Sequence, residues 1–221
     1  MLADLRQFLE TMVLAVAALL PIVNPLGGAP VFLAKTVDLT GEAHGELAKR
    51  VAINGFLLLI ASALIGAYVL DFFGLSVPVV RVAGGIVVCS IAWGLLNEPD
   101  TPGTEVQHAA RAVTPGDLRR RAFYPLTMPL TVGPGSISVA ITLGANPPIG
   151  TRALIVTALG HLGGMLAVAL AIYVCYRYAD AILRKLGDVG TVVVTRLSAF
   201  ILLCIGIQIL WSGWSDLTAM R

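Results

Sequence analysis

Two short stretches combine prolines and glycines with side chains that can hydrogen-bond, in otherwise apolar surroundings. The first reads P-I-V-N-P-L-G-G-A-P from Pro21 to Pro30, and the second reads P-L-T-M-P-L-T-V-G-P-G from Pro125 to Gly135. Proline lacks an N–H and interrupts a helix. A helix that restarts after such a break exposes N–H groups that favour a carboxylate, and the carbonyls freed before it can accept from an ammonium. The two stretches therefore predict a site for a small zwitterion.

The residues expected to bind this solute lie on both sides of the two breaks. Gly27, Gly28, Gly135 and Ser136 are predicted to present N–H groups to the carboxylate, with Ser136 as a favourable N-cap. Asn24 and the freed carbonyls are predicted to hold the amine. The full predicted set is Asn24, Pro25, Gly27, Gly28, Thr131, Gly133, Pro134, Gly135 and Ser136, with further hydroxyls from Thr127 and Ser138.

The composition shows what kind of protein must position these residues. Of the 221 residues, 57% are hydrophobic and only 13% are charged, whereas a soluble domain carries about 25% charged residues. A globular core of this length cannot bury so much apolar surface, so lipid is the expected solvent. The net charge of +2 has no basic block behind it, which excludes nucleic acid as a partner. The three cysteines show no metal spacing, and no metal or cofactor is expected.

Six apolar segments are long enough to cross a membrane, since about 20 residues suffice. A tight turn at residues 73–76 joins the second and third, and a polar linker separates the third from the fourth. We therefore expect a first three-helix unit over 1–97, a polar cytoplasmic linker over 98–121 and a second unit over 122–221, all in one membrane domain. The predicted spans are 8–34, 51–71, 77–97, 122–144, 152–176 and 194–214.

The two units carry matching features in the same order. The first helix of each contains a proline-glycine break, and the third helix of each begins with an arginine that a cysteine follows eight residues later, Arg81…Cys89 and Arg196…Cys204. Because each unit has three helices, the second must enter the membrane from the opposite side. The predicted fold is an all-α polytopic membrane protein of six transmembrane helices, built as two inverted three-helix repeats with helices one and four discontinuous.

The basic residues predict the orientation of the chain. Ten of them lie in the loops after helices one, three and five, and far fewer lie in the other loops and at the termini. Because cytoplasmic loops are enriched in lysine and arginine, both termini are expected outside the cytoplasm. The ten are Lys35, Lys49, Arg50, Arg111, Arg119, Arg120, Arg121, Arg177, Arg184 and Lys185.

Two further polar residues lie inside predicted spans. Asn54 falls early in helix two, and His161 falls in helix five within G-H-L-G-G. An intramembrane ionisable residue is by default a functional candidate, so both are candidate polar or gating residues. Gly160 and Gly164, however, form a small-residue face that favours close helix packing. The sequence leaves open whether His161 titrates or only packs.

The two motifs together carry a family resemblance. N-P-L-G-G-A-P-V-F at Asn24–Phe32, with P-L-T-V-G-P-G-S-I at Pro129–Ile137, resembles the MarC family of bacterial and archaeal integral membrane proteins, which includes SnatA-type small neutral amino acid transporters. The resemblance covers essentially the whole chain. It implies an inner-membrane protein that carries glycine, alanine or similar solutes. The family pattern often has Asn after the first glycine, whereas Gly28 stands there in this chain and removes one side-chain amide from the site.

These observations favour a secondary transporter of small neutral amino acids that works by alternating access. The alternative is a membrane scaffold or regulatory protein whose breaks are dry. No HExxH, GxSxG or paired aspartates occur in the spans, so no enzyme activity is expected. The sequence leaves open the direction of transport, coupling to Na⁺ or H⁺, and whether the chain forms a homo-oligomer in the bilayer.

Overall fold

The computed structural model describes residues 2–36, 39–97, 115–145 and 148–219, and all the regular structure in these residues is helical. The all-α prediction is therefore confirmed, while most of the predicted linker lies outside the described residues. An irregular, wide-turned segment, Ala122–Thr131, connects the fifth and sixth helices. The helices are α1 (Leu2–Val23), α2 (Pro25–Ala34), α3 (Gly41–Phe72), α4 (Val77–Asn97), α5 (Pro115–Arg121), α6 (Pro134–Ala145), α7 (Thr151–Arg177) and α8 (Ala179–Ala219).

The helices account for the predicted membrane spans. Among the described residues, five stretches are long and apolar enough to cross a membrane: Ala3–Leu33, Gly41–Phe72, Val77–Asn97, Thr151–Arg177 and Val192–Ala219. The predicted fourth span corresponds to two helical stretches, Gly116–Thr131 and Pro134–Ala145, which are apolar enough together to cross a membrane as one bent span and meet at an angle of 75°. The chain is thus a multi-pass membrane protein.

Two predicted boundaries differ from the structure. Helix α3 begins at Gly41 and not near residue 51, because the Thr40 side chain caps it by accepting from Ala43 N–H. Its 32 residues extend about 48 Å, so it reaches beyond a hydrocarbon core of about 30 Å. The basic stretch after the fifth span was predicted to be a loop, but it is helical up to Gly187, where a φ of 67° bends α8.

The break in the first span is confined to one residue. Asn24 has φ 45° and ψ 58°, which is the left-handed conformation, and Pro25 then begins α2. Asparagine tolerates this conformation better than most residues, and proline fits the first helical position because no N–H is needed there. The Asn24 side chain accepts a hydrogen bond from Gly27 N–H at 3.2 Å. The sequence N-P-L-G therefore ends one helix and caps the next.

The break in the fourth span is wider. Tyr124 and Met128 have extended backbone inside the segment Ala122–Thr131, because the residue before a proline is disfavoured in the helical region. The first regular bond after the segment runs from Val132 N–H to the Thr127 carbonyl, five residues back, at 2.8 Å. Pro134 then starts α6 in a new direction.

Threonine hydroxyls hydrogen-bond to backbone carbonyls within the irregular segment. Thr127 Oγ1 donates to the Ala122 carbonyl at 2.6 Å, and Thr131 Oγ1 donates to the Leu126 carbonyl at 2.7 Å. Unsatisfied peptide groups are costly in a membrane, and hydroxyls are a known means of satisfying them. The repeated P-L-T triplet therefore stabilises an irregular backbone within an apolar environment.

Small residues let the helices pack closely. A Cβ on Gly164 of α7 would lie 2.6 Å from the Ala15 side chain of α1, and a Cβ on Gly144 of α6 would lie 1.8 Å from the Ala63 carbonyl of α3. Such contacts are typical of helix packing in membranes, where close van der Waals approach replaces the hydrophobic effect. The most extensive helix contacts are α4 with α8, α1 with α7, and α3 with α6.

The buried apolar side chains form two separate clusters. The larger cluster joins α1, α2, α3, the irregular segment, α6 and α7, which together are called the main body below, and it also includes Ala179 at the start of α8. The smaller cluster consists of Val88, Ala92 and Leu202 and holds α4 to α8. These two helices, called the α4–α8 pair below, therefore form a second unit beside the main body.

The left-handed conformation at Asn24 predicts how two substitutions rank in stability. Asn24→Gly and Asn24→Ala both lose the cap on Gly27, but only alanine is strained at φ 45°. We expect the Ala variant to be less stable than the Gly variant by about 1 kcal/mol, measured by thermal unfolding in detergent. The order should reverse at Asn54 inside α3, where glycine is the poorer helix former. Equal stability of the two Asn24 variants would contradict the assigned conformation.

The predicted orientation can be tested at two exposed turns. In a chain whose three native cysteines are replaced by alanine, Ser76→Cys should react with an impermeant maleimide in right-side-out vesicles. Thr40→Cys should react only after permeabilisation, because the basic loops are expected in the cytoplasm. The opposite result would reverse the orientation, and labelling of both from one side would show that α3 does not cross the membrane.

Candidate functional site

A cavity of about 300 Å³ lies between the α4–α8 pair and the main body, and both breaks open into it. This volume is at the lower end of the range for small-molecule sites. Eight of the nine residues of the predicted set line the cavity: Asn24, Gly27, Gly28, Thr131, Gly133, Pro134, Gly135 and Ser136. The exception is Pro25, which is buried at the start of α2 and does not line it.

The cavity extends toward one end of the helix bundle. Its lining runs from the breaks to Lys35, after α2, and to Leu95, near the end of α4. It includes no described residue of α1 before Ile22 and none of α6 after Ser136. The cavity thus occupies the half of the bundle that the basic residues predict to be cytoplasmic.

The start of α6 provides two backbone donors on the cavity wall. The first bond within this turn runs from Ile137 N–H to the Gly133 carbonyl at 3.0 Å, and Pro134 has no N–H. Gly135 N–H and Ser136 N–H form no hydrogen bond among the described residues, as expected for the first turn of a helix. The sequence identified both donors, but Ser136 is not the cap, since its hydroxyl donates to the Gly133 carbonyl at 3.0 Å from within the helix.

The corresponding prediction for the first break is wrong. Gly27 N–H donates to Asn24 Oδ1 at 3.2 Å, and Gly28 N–H donates to the Asn24 carbonyl at 2.9 Å. Both groups are therefore occupied by the residue that makes the break. The physical reason is that Asn24 is the N-cap of α2, so its carbonyl accepts the first bond of the helix, from Gly28, and its side chain caps Gly27. What remains to the cavity from Asn24 is chiefly its amide N–H₂ group.

Two glycines of the site are required by close contacts. A Cβ on Gly135 would lie 2.1 Å from Val88 Cγ2 of α4, and a Cβ on Gly28 would lie 2.6 Å from the Tyr176 hydroxyl of α7. Both distances are too short for any side chain. Gly135 thus lets α4 pack against the start of α6, and Gly28 makes room for a tyrosine.

Tyr176 is a site residue that the sequence reasoning missed. Its ring is fully buried and stacks on Phe32 with centroids 4.4 Å apart and an interplanar angle of 15°. Its hydroxyl lies 2.9 Å from Thr131 Oγ1, which borders the cavity. Neither the sequence around Tyr176 nor its spacing marks it, because only the fold brings α7 behind the two breaks.

The other polar candidates lie away from the cavity. Thr127 is buried with its hydroxyl bonded to Ala122, and Ser138 is buried against Gly84 of α4. Neither lines the cavity, and neither do Asn54 and His161. The glycines beside His161 pack on α1: a Cβ on Gly160 would lie 2.7 Å from Thr11 Cβ. The structure therefore does not bring Asn54 or His161 to the breaks.

The electrostatic character of the cavity is simple. Among the described residues that line it, Lys35 alone carries a charge, and no carboxylate is present. The α4–α8 pair contributes apolar side chains, namely Val88, Ile91, Leu95 and Leu202. The positive end of the α6 dipole adds to the effect of Lys35. The cavity therefore favours a solute with a negative group and a small apolar part.

Arginines connect the helices beyond both ends of the cavity. Arg81 of α4 forms an ion pair with Asp216 of α8 and donates to Thr142 Oγ1 of α6 at 3.1 Å. At the opposite end, Arg196 of α8 donates to the carbonyls of Leu95 and Leu96 in α4. The two helices are therefore antiparallel, and the Arg81–Thr142 bond ties the pair to the main body at the end away from Lys35.

Relatives of this chain are membrane proteins of bacteria and archaea. The UPF0056 inner membrane protein MarC of Salmonella typhimurium is 28% identical over 205 residues, covering 90% of this chain and 92% of the relative. A UPF0056 membrane protein of Pyrococcus abyssi is 30% identical over 209 residues, covering 94% and 96%. One of Methanocaldococcus jannaschii is 28% identical over 206 residues, covering 93% and 96%. No solved structure matches.

The pattern that describes the MarC family integral membrane proteins matches residues 9–218. This range contains both breaks, the cavity and nearly all of the helices that surround them. The chain therefore belongs to the MarC family of integral membrane proteins.

Proposed function

We propose that this protein is a secondary transporter of small neutral amino acids, such as glycine or alanine, in the cell inner membrane. The observation that carries the proposal is the convergence of two interrupted spans on one cavity. Interrupted helices at a shared cavity are how several transporter folds hold a charged solute inside a membrane. A scaffold protein would not need a cavity there, and we assign no catalytic role to its residues.

The solute carboxylate is assigned to the start of α6. Gly135 N–H and Ser136 N–H are free to donate, and the first turn of a helix carries a partial positive charge. Lys35 lies at the open end of the cavity, where its charge attracts an approaching anion. The amide N–H₂ of Asn24 supplies a third donor from the first break.

The size and charge of the solute follow from the walls. Four apolar side chains of the α4–α8 pair face the breaks across about 300 Å³, which suits a short aliphatic side chain. A purely cationic solute would need a carboxylate partner, and none lines the cavity among the described residues. A zwitterion needs only polar acceptors for its ammonium group, and hydroxyls and carbonyls of the irregular segment can serve.

The helix contacts support the predicted inverted repeat. In the predicted repeat, α1 and α2 correspond to the bent span, α3 corresponds to α7, and α4 corresponds to α8. The contact of α1 with α7 then corresponds to the contact of α3 with α6. Both contacts are extensive. The contact of α4 with α8 is also extensive, and it corresponds to itself because these two helices correspond to each other. These contacts join one repeat to the other, so the two repeats are interleaved.

Alternating access therefore need not separate the repeats. Rocking one repeat against the other would disrupt the largest contacts. The cavity instead lies where the two apolar clusters meet. We propose that the α4–α8 pair moves as a unit against the main body, closing the Lys35 end and opening the Arg81 end.

The carboxylate assignment predicts the effect of removing one N–H. Ser136→Pro should lower uptake of labelled alanine into proteoliposomes at least about tenfold, because a hydrogen bond to a charged group is lost while proline is tolerated in a first helical turn. Ser136→Ala keeps the N–H and should stay within about threefold of the parent, since it loses one hydroxyl bond.

Gel filtration and thermal unfolding of the Ser136→Pro variant establish that it is folded. A folded Ser136→Pro variant with normal uptake would contradict the assignment. Varying sodium and pH separately in the same assay identifies the coupling ion. Uptake of no amino acid by the parent protein, under any of these gradients, would overturn the proposed function.

The proposal that the Arg81 end of the cavity is closed can be tested with a cysteine placed at a buried position. Ser138→Cys, in a chain without native cysteines, should react slowly with an impermeant thiol reagent because Ser138 is fully buried. Adding Thr142→Val removes the acceptor of Arg81 and should raise the reaction rate about fivefold, as expected for one lost hydrogen bond. Thr218→Val, which affects only bonds within α8, is the control. An unchanged rate with Thr142→Val would show that Arg81 does not hold this end closed.

A further inference from the structure

We propose that Thr131 accepts a hydrogen bond from the ammonium group of the solute, and that Tyr176 is a positioning residue that fixes the direction of the lone pair left free for it. This inference rests on the proposed function and names the second half of the binding site, opposite the N–H groups of α6. It is carried by the direction of two hydrogen bonds behind the cavity wall.

The direction of the bonds follows from proton counting. Thr131 has one hydroxyl proton, and its Oγ1 lies 2.7 Å from the Leu126 carbonyl, which can only accept. The same oxygen lies 2.9 Å from the Tyr176 hydroxyl. Since the Thr131 proton is committed to Leu126, Tyr176 must be the donor. The chain therefore runs from Tyr176 to Thr131 to Leu126.

This arrangement fixes what Thr131 can do. A hydroxyl oxygen has two lone pairs and one proton. The proton goes to Leu126 and one lone pair receives the Tyr176 proton, so only one lone pair is left. Thr131 borders the cavity and can therefore accept a hydrogen bond from a solute but cannot donate one. An ammonium N–H is the matching partner, whereas a carboxylate is rejected.

Tyr176 is held rigidly in place. Its ring stacks on the Phe32 ring. The Phe32 ring also contacts the His44 ring edge-on, with centroids 5.0 Å apart. Its hydroxyl occupies the space that a side chain at position 28 would need, because a Cβ there would lie 2.6 Å from the oxygen but 3.5 Å from the nearest ring carbons. Gly28 is thus the partner of the hydroxyl and not of the ring.

The first test removes the hydroxyl alone. Tyr176→Phe keeps the ring and its stacking on Phe32, and it should raise KM for alanine uptake about fivefold with a maximal rate within about twofold of the parent. Tyr173→Phe on the same helix is the matched control and should behave as the parent. A fall in maximal rate with unchanged KM would indicate a merely structural role and overturn the proposal.

The second test asks whether the lost interaction is with the amine. Glycine has one more N–H than N-methylglycine, so the parent should be inhibited more strongly by glycine in competition with labelled alanine. The ratio of inhibition by glycine to inhibition by N-methylglycine should fall toward one in Tyr176→Phe and in Thr131→Val. It should stay at the parent value in Thr131→Ser. A parent without the preference, or variants that retain it fully, would overturn the assignment of the ammonium to Thr131.

The third test uses the contact with position 28. Gly28→Ala should raise KM by displacing the hydroxyl, and the double variant Gly28→Ala, Tyr176→Phe should be no worse than Tyr176→Phe alone. If the KM increases of the two single variants multiply in the double variant, the two residues act separately. If the parent transports no amino acid, the proposed function fails and this inference fails with it, whereas normal transport with unchanged variants defeats the inference alone.

Discussion

A peptide group inside a membrane must be hydrogen-bonded or must face a cavity, and this constraint shapes the protein around its prolines. At the fourth span, threonine hydroxyls bind the carbonyls of Ala122 and Leu126 before the break, and the first N–H groups after it are left open to the cavity. At the first span, Asn24 satisfies the N–H groups with its own oxygens. Two similar motifs therefore contribute unequally: one is an open donor site and the other is a capped turn.

The separation of the apolar core into two clusters also bears on how the protein can move. The cavity lies between the α4–α8 pair and the main body and separates their two apolar clusters, although α4 packs closely on the start of α6 at Gly135. Within each unit the helices approach closely through glycines and buried apolar side chains, so each can move as a rigid unit. In the proposed transport cycle, motion would be concentrated at the surface that contains the cavity, with the Arg81–Thr142 bond at one end and Lys35 at the other.

The two sides of the site differ in whether their groups donate or accept hydrogen bonds more than in the charge of their side chains. Lys35 is the one charged residue among the described residues that line the cavity, so discrimination between the two ends of a zwitterion must come from the direction of hydrogen bonds. Backbone N–H groups can only donate, and a hydroxyl whose proton is engaged can only accept. A donor wall at α6 and an acceptor at Thr131 would orient a solute that carries no net charge.

The sequence by itself determined the all-α multi-pass fold, the position of both breaks and many of the residues that line the cavity, because hydropathy and the absence of an N–H in proline are local properties. It could not determine which N–H groups stay free, since that depended on where each new helix begins and on which residue caps it. Nor could it place His161 outside the site or Tyr176 behind it. Those positions depend on how α7 packs against α1 and α2, and helix packing is set by contacts between residues far apart in the chain.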